Sequence, residues 1–465
     1  MALPNILWFC TDQQRTDSLG CYGADYMHTP NIDRLSASGV TFENCYCQAP
    51  SCTPSRSSFL TGRYSSTVHC ERNDEMKIPA TEKLLPKLLA DNGYMCGLSG
   101  KLHLAAVHQN FYPGGERRID DGFHVFNWAH DPYDKWPTSQ YQLWLADQGI
   151  SMQKEQIPGI PGEVYFGMPS EYHHTKWCTD RAIDFIRTCH NHEKPFFFCC
   201  DVFDPHPPFD PPKDKYEAML KRLDEIPDCK FTPGELDNKP AVQMKKHENK
   251  RYDFNAMDEE ARKKTKAAYY AQVENVDEQV GRLIRELETL GELDNTLIIF
   301  CSDHGEMLGD HGIFNKGSFY YNELTRIPLI LSWKGHLPEG MRYRGLGELV
   351  DLFPTICEML SLDPGTRIQG TSMWSGLVRG EETPKEYALC QSIGNSEMLT
   401  SEDWKIVLFR DGTGELYDLK NDPDETWNRF DDPAYAQAKL SMMTALACKR
   451  LAIDEPPPPP GSPGY

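Results

Sequence analysis

The chain has 465 residues, 39% of them hydrophobic and 25% charged, so it is long enough for a large buried core and has the composition of an ordinary water-soluble protein. Its formal net charge of −21 argues against nucleic acid as a partner, because that binding rests on neutralising phosphates with Lys and Arg, and it weighs against long polyanions as substrates. No apolar run is long enough to span a bilayer, so no membrane is expected.

The first element is the run ILWFC at 6–10, apolar throughout, as in a parallel strand buried on both faces. It follows so closely on the first residue that a signal peptide has no room, and a cytoplasmic location is expected. Residues 82–92 read as a helix ending near Gly93, and YMCGL at 94–98 as a second buried strand. Residues 120–171 are rich in aromatics, Pro and Gly and read as an insertion near the mouth of a site, shaping a pocket or forming a satellite apolar cluster. FFFCC at 196–200 is a third strand, and the charged, Pro-bearing stretch 210–260 a second excursion. Residues 265–290 form the clearest helix, with Val273, Val276, Val280, Leu283, Ile284, Leu287 and Leu290 as its apolar stripe and Gly291 as its stop. LIIFC at 297–301 is a fourth strand. Near Glu381 the pattern changes to short strands at 404–409 and 415–419, separated by the Asp411-Gly412 turn, and a helix at 434–451.

The fold expected is therefore α/β: a large, mostly parallel sheet flanked by helices over residues 1–380, and a smaller C-terminal α+β subdomain over 381–455. A Pro-rich tail at 456–465 is expected to lack fixed structure. The 16 cysteines are scattered, with no zinc-type CxxC pair, and Cys10, Cys199, Cys200 and Cys301 lie in apolar runs. They read as buried free thiols of a reducing compartment.

Ligands of open α/β sheets bind beyond the carboxyl ends of the strands. The four strands are followed by Thr11-Asp12-Gln13, by Gly100-Lys101-Leu102-His103, by Asp204-Pro205-His206-Pro207 and by Ser302-Asp303-His304-Gly305. Carboxylates, imidazoles and an ammonium are thus delivered to one edge, which points to an active site. Asp12, Gln13 and Asp303 offer the hard oxygens that Ca2+ or Mg2+ prefers, and His304 adds a ring nitrogen. Asp12 alone reads equally as a turn residue; Asp303 in the matching place on another strand favours a metal. Between the first two strands stands CTPSR at 52–56, followed by FLTGR at 59–63. Pro54 suits the first position of a helix, which would put Cys52 at its positive end. Cys52 then reads as a structural thiol or as a thiolate nucleophile, and residue types alone leave that open. His69, His108, His173, His174 and His311 read as surface or packing histidines, with His311 the nearest of them to the site.

The segment CTPSR with the following LTGR resembles the sulfatase signature C-x-P-S-R…L-T-G-R, matched in full. Residues 5–23 resemble the opening strand and metal loop of that family, and GKLH at 100–103 its G-K-x-H motif. SDHGEMLGDHGIFNK at 302–316 resembles its second metal loop and downstream lysine, and ELYDLKNDPD at 415–424 its C-terminal segment. The likeness spans nearly the whole chain and implies an alkaline phosphatase-like fold. It implies hydrolysis of a sulfate monoester, with a small sulfated sugar or aryl sulfate as the substrate expected. A formylglycine-generating enzyme would convert Cys52 to formylglycine, whose hydrated aldehyde is the family's nucleophile. Asp12, Gln13, Asp303, His304 and the converted Cys52 resemble the ligands of one divalent metal, Ca2+ by preference, with Mg2+ or Mn2+ as alternatives. Arg56 resembles the residue that holds the hydrated aldehyde. Lys101, His103, His206 and Lys316 resemble the groups around the sulfate, and Asp303 is placed to take the nucleophile's proton. Many sulfatases have Asp where Gln13 stands and Asn where His304 stands. The Asp-Gln, Asp-His shell also resembles the phosphonate monoester hydrolases, a sister group, so phosphonate monoester or phosphodiester hydrolysis is the alternative. Those enzymes lack the Lys and His of G-K-x-H, which are present here as Lys101 and His103.

Overall fold

The computed structural model describes residues 3–73, 77–107, 112, 114–133, 136–248, 250–392 and 396–454. The tail expected at 456–465 and His108 lie outside the described residues. The strands of the large sheet are β1 (Asn5–Thr11), β2 (Val40–Tyr46), β3 (Met95–Gly100) and β4 (Val125–Trp128), and, after a short hairpin of β5 (Glu155–Gln156) and β6 (Tyr165–Phe166), β7 (Phe196–Asp201), β8 (Thr296–Ser302), β9 (Arg326–Ser332) and β10 (Met341–Glu348). Their spatial order is β10-β2-β9-β8-β1-β7-β3-β4. β9 pairs antiparallel with β8 and β2, and every other pairing is parallel.

The four strands expected from apolar runs are β8, β1, β7 and β3, which lie side by side. Each is covered on both faces, which is why no polar alternation was needed. Along β1, Leu7 and Phe9 belong to one core and Ile6, Trp8 and Cys10 to the other. The first core is closed by the helices His174–Asn191 and Glu259–Leu290, the second by Cys52–Thr61, Leu85–Asp91 and Leu352–Leu360. The long helix begins earlier than its apolar stripe, because Asp258 caps it by accepting from Ala261 N at 2.8 Å. It stops at Gly291, whose φ of 73° is the left-handed conformation that suits glycine.

β2, β9 and β10 were not anticipated, and each hides its strand character. β9 carries Pro328, and β2 places half-buried Glu43 and Asn44 in its middle. β10 is an edge strand whose pairing with β2 shifts register between Tyr343 and Leu346. The expected insertion divides in two. Tyr141 and Trp144 pack inward, Tyr141 lying 5.6 Å from the Trp177 ring, whereas His130 and Asp131 approach the site.

The smaller unit is an antiparallel sheet of β11 (Ala388–Ser392), β12 (Ser396–Thr400), β13 (Trp404–Phe409) and β14 (Gly414–Asp418), covered by the helix Ala436–Ile453. It is tied to the large sheet through buried groups. Lys385 Nζ lies 2.8 Å from Glu348 and also meets Asp351, both of which are fully buried. No helix among the described residues is long and apolar enough to cross a membrane.

Removing one partner of a buried ion pair leaves an uncompensated charge. Lys385→Met, which strands two carboxylates, is expected to destabilise the protein by about 3–5 kcal/mol, read by chemical denaturation at neutral pH. A loss too small to measure would show that water already solvates this cluster.

Candidate active site

The helix Cys52–Thr61 starts with Cys52 itself, so Pro54 is the third helical residue and not the first. Its missing N–H is harmless there too, because the whole first turn lacks intrahelical acceptors. Ser51 enters in extended conformation, Asn73 Oδ1 accepts from Thr53 N at 3.0 Å, and all ten helical residues are buried. The second loop depends on Gly100. Its φ is +97°, and a Cβ there would lie 1.9 Å from the Asp201 carbonyl oxygen, so only glycine lets the chain leave β3 over β7. Lys101 N then donates to that same carbonyl at 3.0 Å.

Strand register does the rest. Thr11 is aligned with Ser302, so the next residues, Asp12 and Asp303, stand side by side at the sheet edge. Ligand atoms of Asp12, Cys52, Asp303 and His304 all lie within 4.8 Å of one another, and all four residues are buried. Cys52 Sγ is 3.3 Å from His304 Nε2, 2.9 Å from Lys316 Nζ and 3.5 Å from Lys101 Nζ. Lys101 Nζ also bonds Asp12 Oδ2. Arg56, fully buried, donates from Nε to Asp303 Oδ2 at 2.9 Å and from Nη1 to the Lys101 carbonyl at 2.6 Å and Asp201 Oδ2 at 3.4 Å. His103 lies close enough to Cys52 to help hold its thiol pKa down. His206 lies in the loop after β7, its Nδ1 2.6 Å from the Pro207 carbonyl, and its charge acts on Asp12.

The electrostatics follow from this packing. Burial would raise the Cys52 thiol, but Lys101, Lys316 and His304 together hold it well below the usual range. Burial also opposes the charge on Lys101, yet Asp12 and Cys52 hold its pKa above the usual range. Burial and Lys101 push His103 down to about 4, so it is neutral at physiological pH.

The donor set fits a divalent cation. Asp303 Oδ1 and Asp12 Oδ1 face the cluster while their second oxygens are held by Arg56 and Lys101. His304 Nδ1 donates to the Gly305 carbonyl at 3.0 Å, which leaves Nε2 as the ring nitrogen turned to the cluster and able to bind a cation once its proton is lost. Gln13 Oε1 is a buried acceptor with no partner, as a ligand oxygen awaiting a cation would be.

A family model described as sulfatase matches residues 4–362 of this chain. The chain belongs to the sulfatase family. A second model, the C-terminal part of N-sulphoglucosamine sulphohydrolase, matches residues 309–451 of this sulfatase. An arylsulfatase of Clostridium perfringens is 29% identical, over 96% of this chain and 94% of that protein. An N-acetylglucosamine-6-O-sulfatase of Bacteroides thetaiotaomicron is 27% identical, over 95% and 85%. Among solved structures, the phosphonate monoester hydrolase of Agrobacterium radiobacter superposes with a TM-score of 0.85 at 24% identity, covering 97% and 96% of the two chains, which shows the shared fold.

All ten sequence-derived site residues gather at the sheet edge, but His311 does not join them. Its φ of 54° turns it away, to stack on Tyr321 at 3.8 Å with Nδ1 2.9 Å from Glu235. Four residues of the site were missed. Glu116 accepts from the backbone N–H groups of His103, Leu104 and Ala105 and so fixes the loop carrying His103. The His130 ring packs edge-on to His103 at 4.3 Å. Asp201 backs Arg56, and Glu306 bonds the Gln13 side chain. Glu116 and His130 belong to no motif, Glu306 lies within the 302–316 segment without having been singled out, and Asp201 extends the third apolar run.

Burial pushes the Asp201 carboxyl up to about 7, against the pull of Arg56 and with help from Asp303 and Asp12. The folded protein thus holds this proton more tightly than the unfolded chain does. Its contribution is complete below the unfolded carboxyl pKa of about 4 and is lost as pH rises through about 7. In chelator, Asp201→Asn is expected to flatten the fall of stability across that window in denaturation curves; an unchanged slope would refute the assignment.

Proposed function

We propose that this sulfatase hydrolyses the sulfate monoester of a small hydroxylated compound, a sulfated sugar of one or two units or an aryl sulfate, with residue 52 acting as formylglycine beside one divalent cation. The reading rests on one observation: the Cys52 side chain is enclosed between two carboxylates and His304 on one side and two lysines on the other. Carboxylates with no cation would repel an anionic substrate, and lysines with no anion would be an unrelieved buried charge; a cation plus a sulfate satisfies both. Asp12, Gln13, Asp303 and His304 would hold the cation, with Ca2+ preferred because three of these four residues offer oxygen. When present, the cation lowers the pKa of an aldehyde-hydrate hydroxyl at residue 52, and that hydrate supplies both the attack on sulfur and a route to expel sulfate without a second attack there.

The chain's own residues account for the remaining steps. Lys101 and Lys316 offset sulfate charge and orient it for in-line attack. Arg56, clamped by Asp303, Asp201 and the Lys101 carbonyl, keeps the carboxylates in place. Asp303 accepts the attacking hydroxyl's proton. His206, whose Nδ1 is engaged by the Pro207 carbonyl, keeps Nε2 to protonate the departing alcohol, with Lys316 as the other candidate. His103, kept neutral by burial and Lys101, takes the proton from residue 52 that releases sulfate.

The leaving group would lie against His130, Asp131, Tyr133 and Lys154. Lys154 Nζ lies 4.2 Å from the Tyr133 ring centroid and 4.5 Å from that of Tyr165, while Asp131 is half-buried and feels His206 and Lys101. Mixed charge and aromatic faces suit a polyhydroxylated ring better than an alkyl chain. We place the enzyme in the cytoplasm, acting after a formylglycine-generating enzyme has converted Cys52 and on esters taken up by the cell.

The test compares sulfate release from sulfated mono- and disaccharides, aryl sulfate and choline sulfate with hydrolysis of an aryl phosphonate monoester. Sulfated sugars or aryl sulfate should lead; a preference for the phosphonate would support the alternative that Gln13 and His304 favour. Intact mass should show CH2–SH replaced by CHO at residue 52. Cys52→Ala should abolish turnover, and Lys316→Ala should lower kcat/KM by about 100- to 1,000-fold.

A further inference from the structure

The Gln13 side chain is held at one end. It is fully buried, and its backbone takes the left-handed conformation at φ 69°. Its main chain is pinned on both sides: N–H donates to Asp303 Oδ1 at 3.1 Å, and the carbonyl accepts from Tyr269 O–H at 3.0 Å. The side-chain amide Nε2 donates to Glu306 Oε2, while Oε1 has no partner. Glu306 is itself fully buried, and its other oxygen accepts from Leu308 N at 3.1 Å and Asn315 N at 2.5 Å. An amide is symmetric enough that either end could face a cation, but a carboxyl group that only accepts can take only the NH2 end.

We infer that Glu306 is a positioning residue of the cation site: it turns the Gln13 carbonyl oxygen toward the ion and supplies, through the amide, the negative charge that a carboxylate at position 13 would have brought. The inference rests on the reading that Gln13 is a ligand. A metal ligand polarised by a second carboxylate binds more strongly, and outer partners of this kind set the orientation and the basicity of the ligand they hold. Here Asp12 and Asp303 spend their second oxygens on Lys101 and Arg56. A direct carboxylate at position 13 would add a third charge to that crowded edge, whereas Glu306 keeps its charge one bond network further back, where Lys246 and Arg251 feel it.

The test measures cation binding directly, by calorimetric titration of Ca2+ and of Mn2+ into chelator-treated protein and by elemental analysis of bound metal. The variants are Gln13→Ala, Glu306→Gln, and the exchange Gln13→Glu with Glu306→Gln. Gln13→Ala should weaken binding; unchanged affinity would remove Gln13 from the ligands and the inference with it. Glu306→Gln keeps shape and removes charge, and it should weaken binding by about 10- to 100-fold with little change in thermal unfolding of the metal-free protein. The exchange variant retains both the hydrogen bond and the charge with the partners swapped, and it should bind within about threefold of the unaltered protein. Affinity of Glu306→Gln within about threefold of the unaltered protein, alongside weakened Gln13→Ala, would overturn the positioning role while leaving the cation site standing. If Glu306→Gln fails to fold, the exchange variant decides: restored binding supports the pairing, and binding as weak as that of Gln13→Ala refutes it.

Discussion

The parallel register of β1 and β8 places two carboxylates, Asp12 and Asp303, next to each other in a buried setting, and the rest of the site is organised around that repulsion. Two like charges at such separation are costly wherever water is excluded. The chain meets the cost asymmetrically. One oxygen of each carboxylate goes to a fixed protein cation, Lys101 for Asp12 and Arg56 for Asp303. The other oxygens converge with Cys52 and His304. A mobile cation is the natural complement, and once it is present the lysines have charge to spare for an anionic ester. Buried cations and anions thus divide one small site between holding it together and holding a substrate.

That constraint explains why so much of the site was legible before the fold was known. Strands buried on both faces are uniformly apolar, so the first polar residues after each run mark the edge of the core, and a functional edge is where Asp12, Lys101, Asp204 and Asp303 must appear. The resemblance of residues 52–63 to a family signature is what made Cys52 readable as a nucleophile precursor as well as a structural thiol, which no periodicity could do. What stayed hidden was of two kinds. Strands β2, β9 and β10 break their apolar runs with Glu43, Pro328 or a register shift, so they lacked a period to read. Supporting residues such as Glu116, His130 and Glu306 act across sequence gaps or through backbone N–H groups, and their spacing carries no sign of it. His311 is the packing histidine it was read as: close in sequence to His304, it has a left-handed backbone that turns its ring to Glu235 and Tyr321.

The C-terminal sheet has a stake in this chemistry as well. The loop that carries Lys316 is not free-standing. Met307, Ile313, Phe319, Tyr321 and Leu324 on or beside it form one apolar cluster with Tyr417 of β14. Around that cluster runs a buried polar network in which Lys239 Nζ meets Tyr321 O–H at 2.7 Å and Gln243 Nε2 donates to Glu415 Oε1 at 2.8 Å. Tyr417 O–H bonds Glu415 as well. A fully satisfied network of this sort is worth more than its separate pairs and punishes any one loss. The ELYDL segment therefore supports the lysine from behind. Its likeness to the family's C-terminal segment has a physical ground: a flexible ammonium held 2.9 Å from residue 52 needs a loop that cannot drift, and Glu415 and Tyr417 are what keep that loop from doing so.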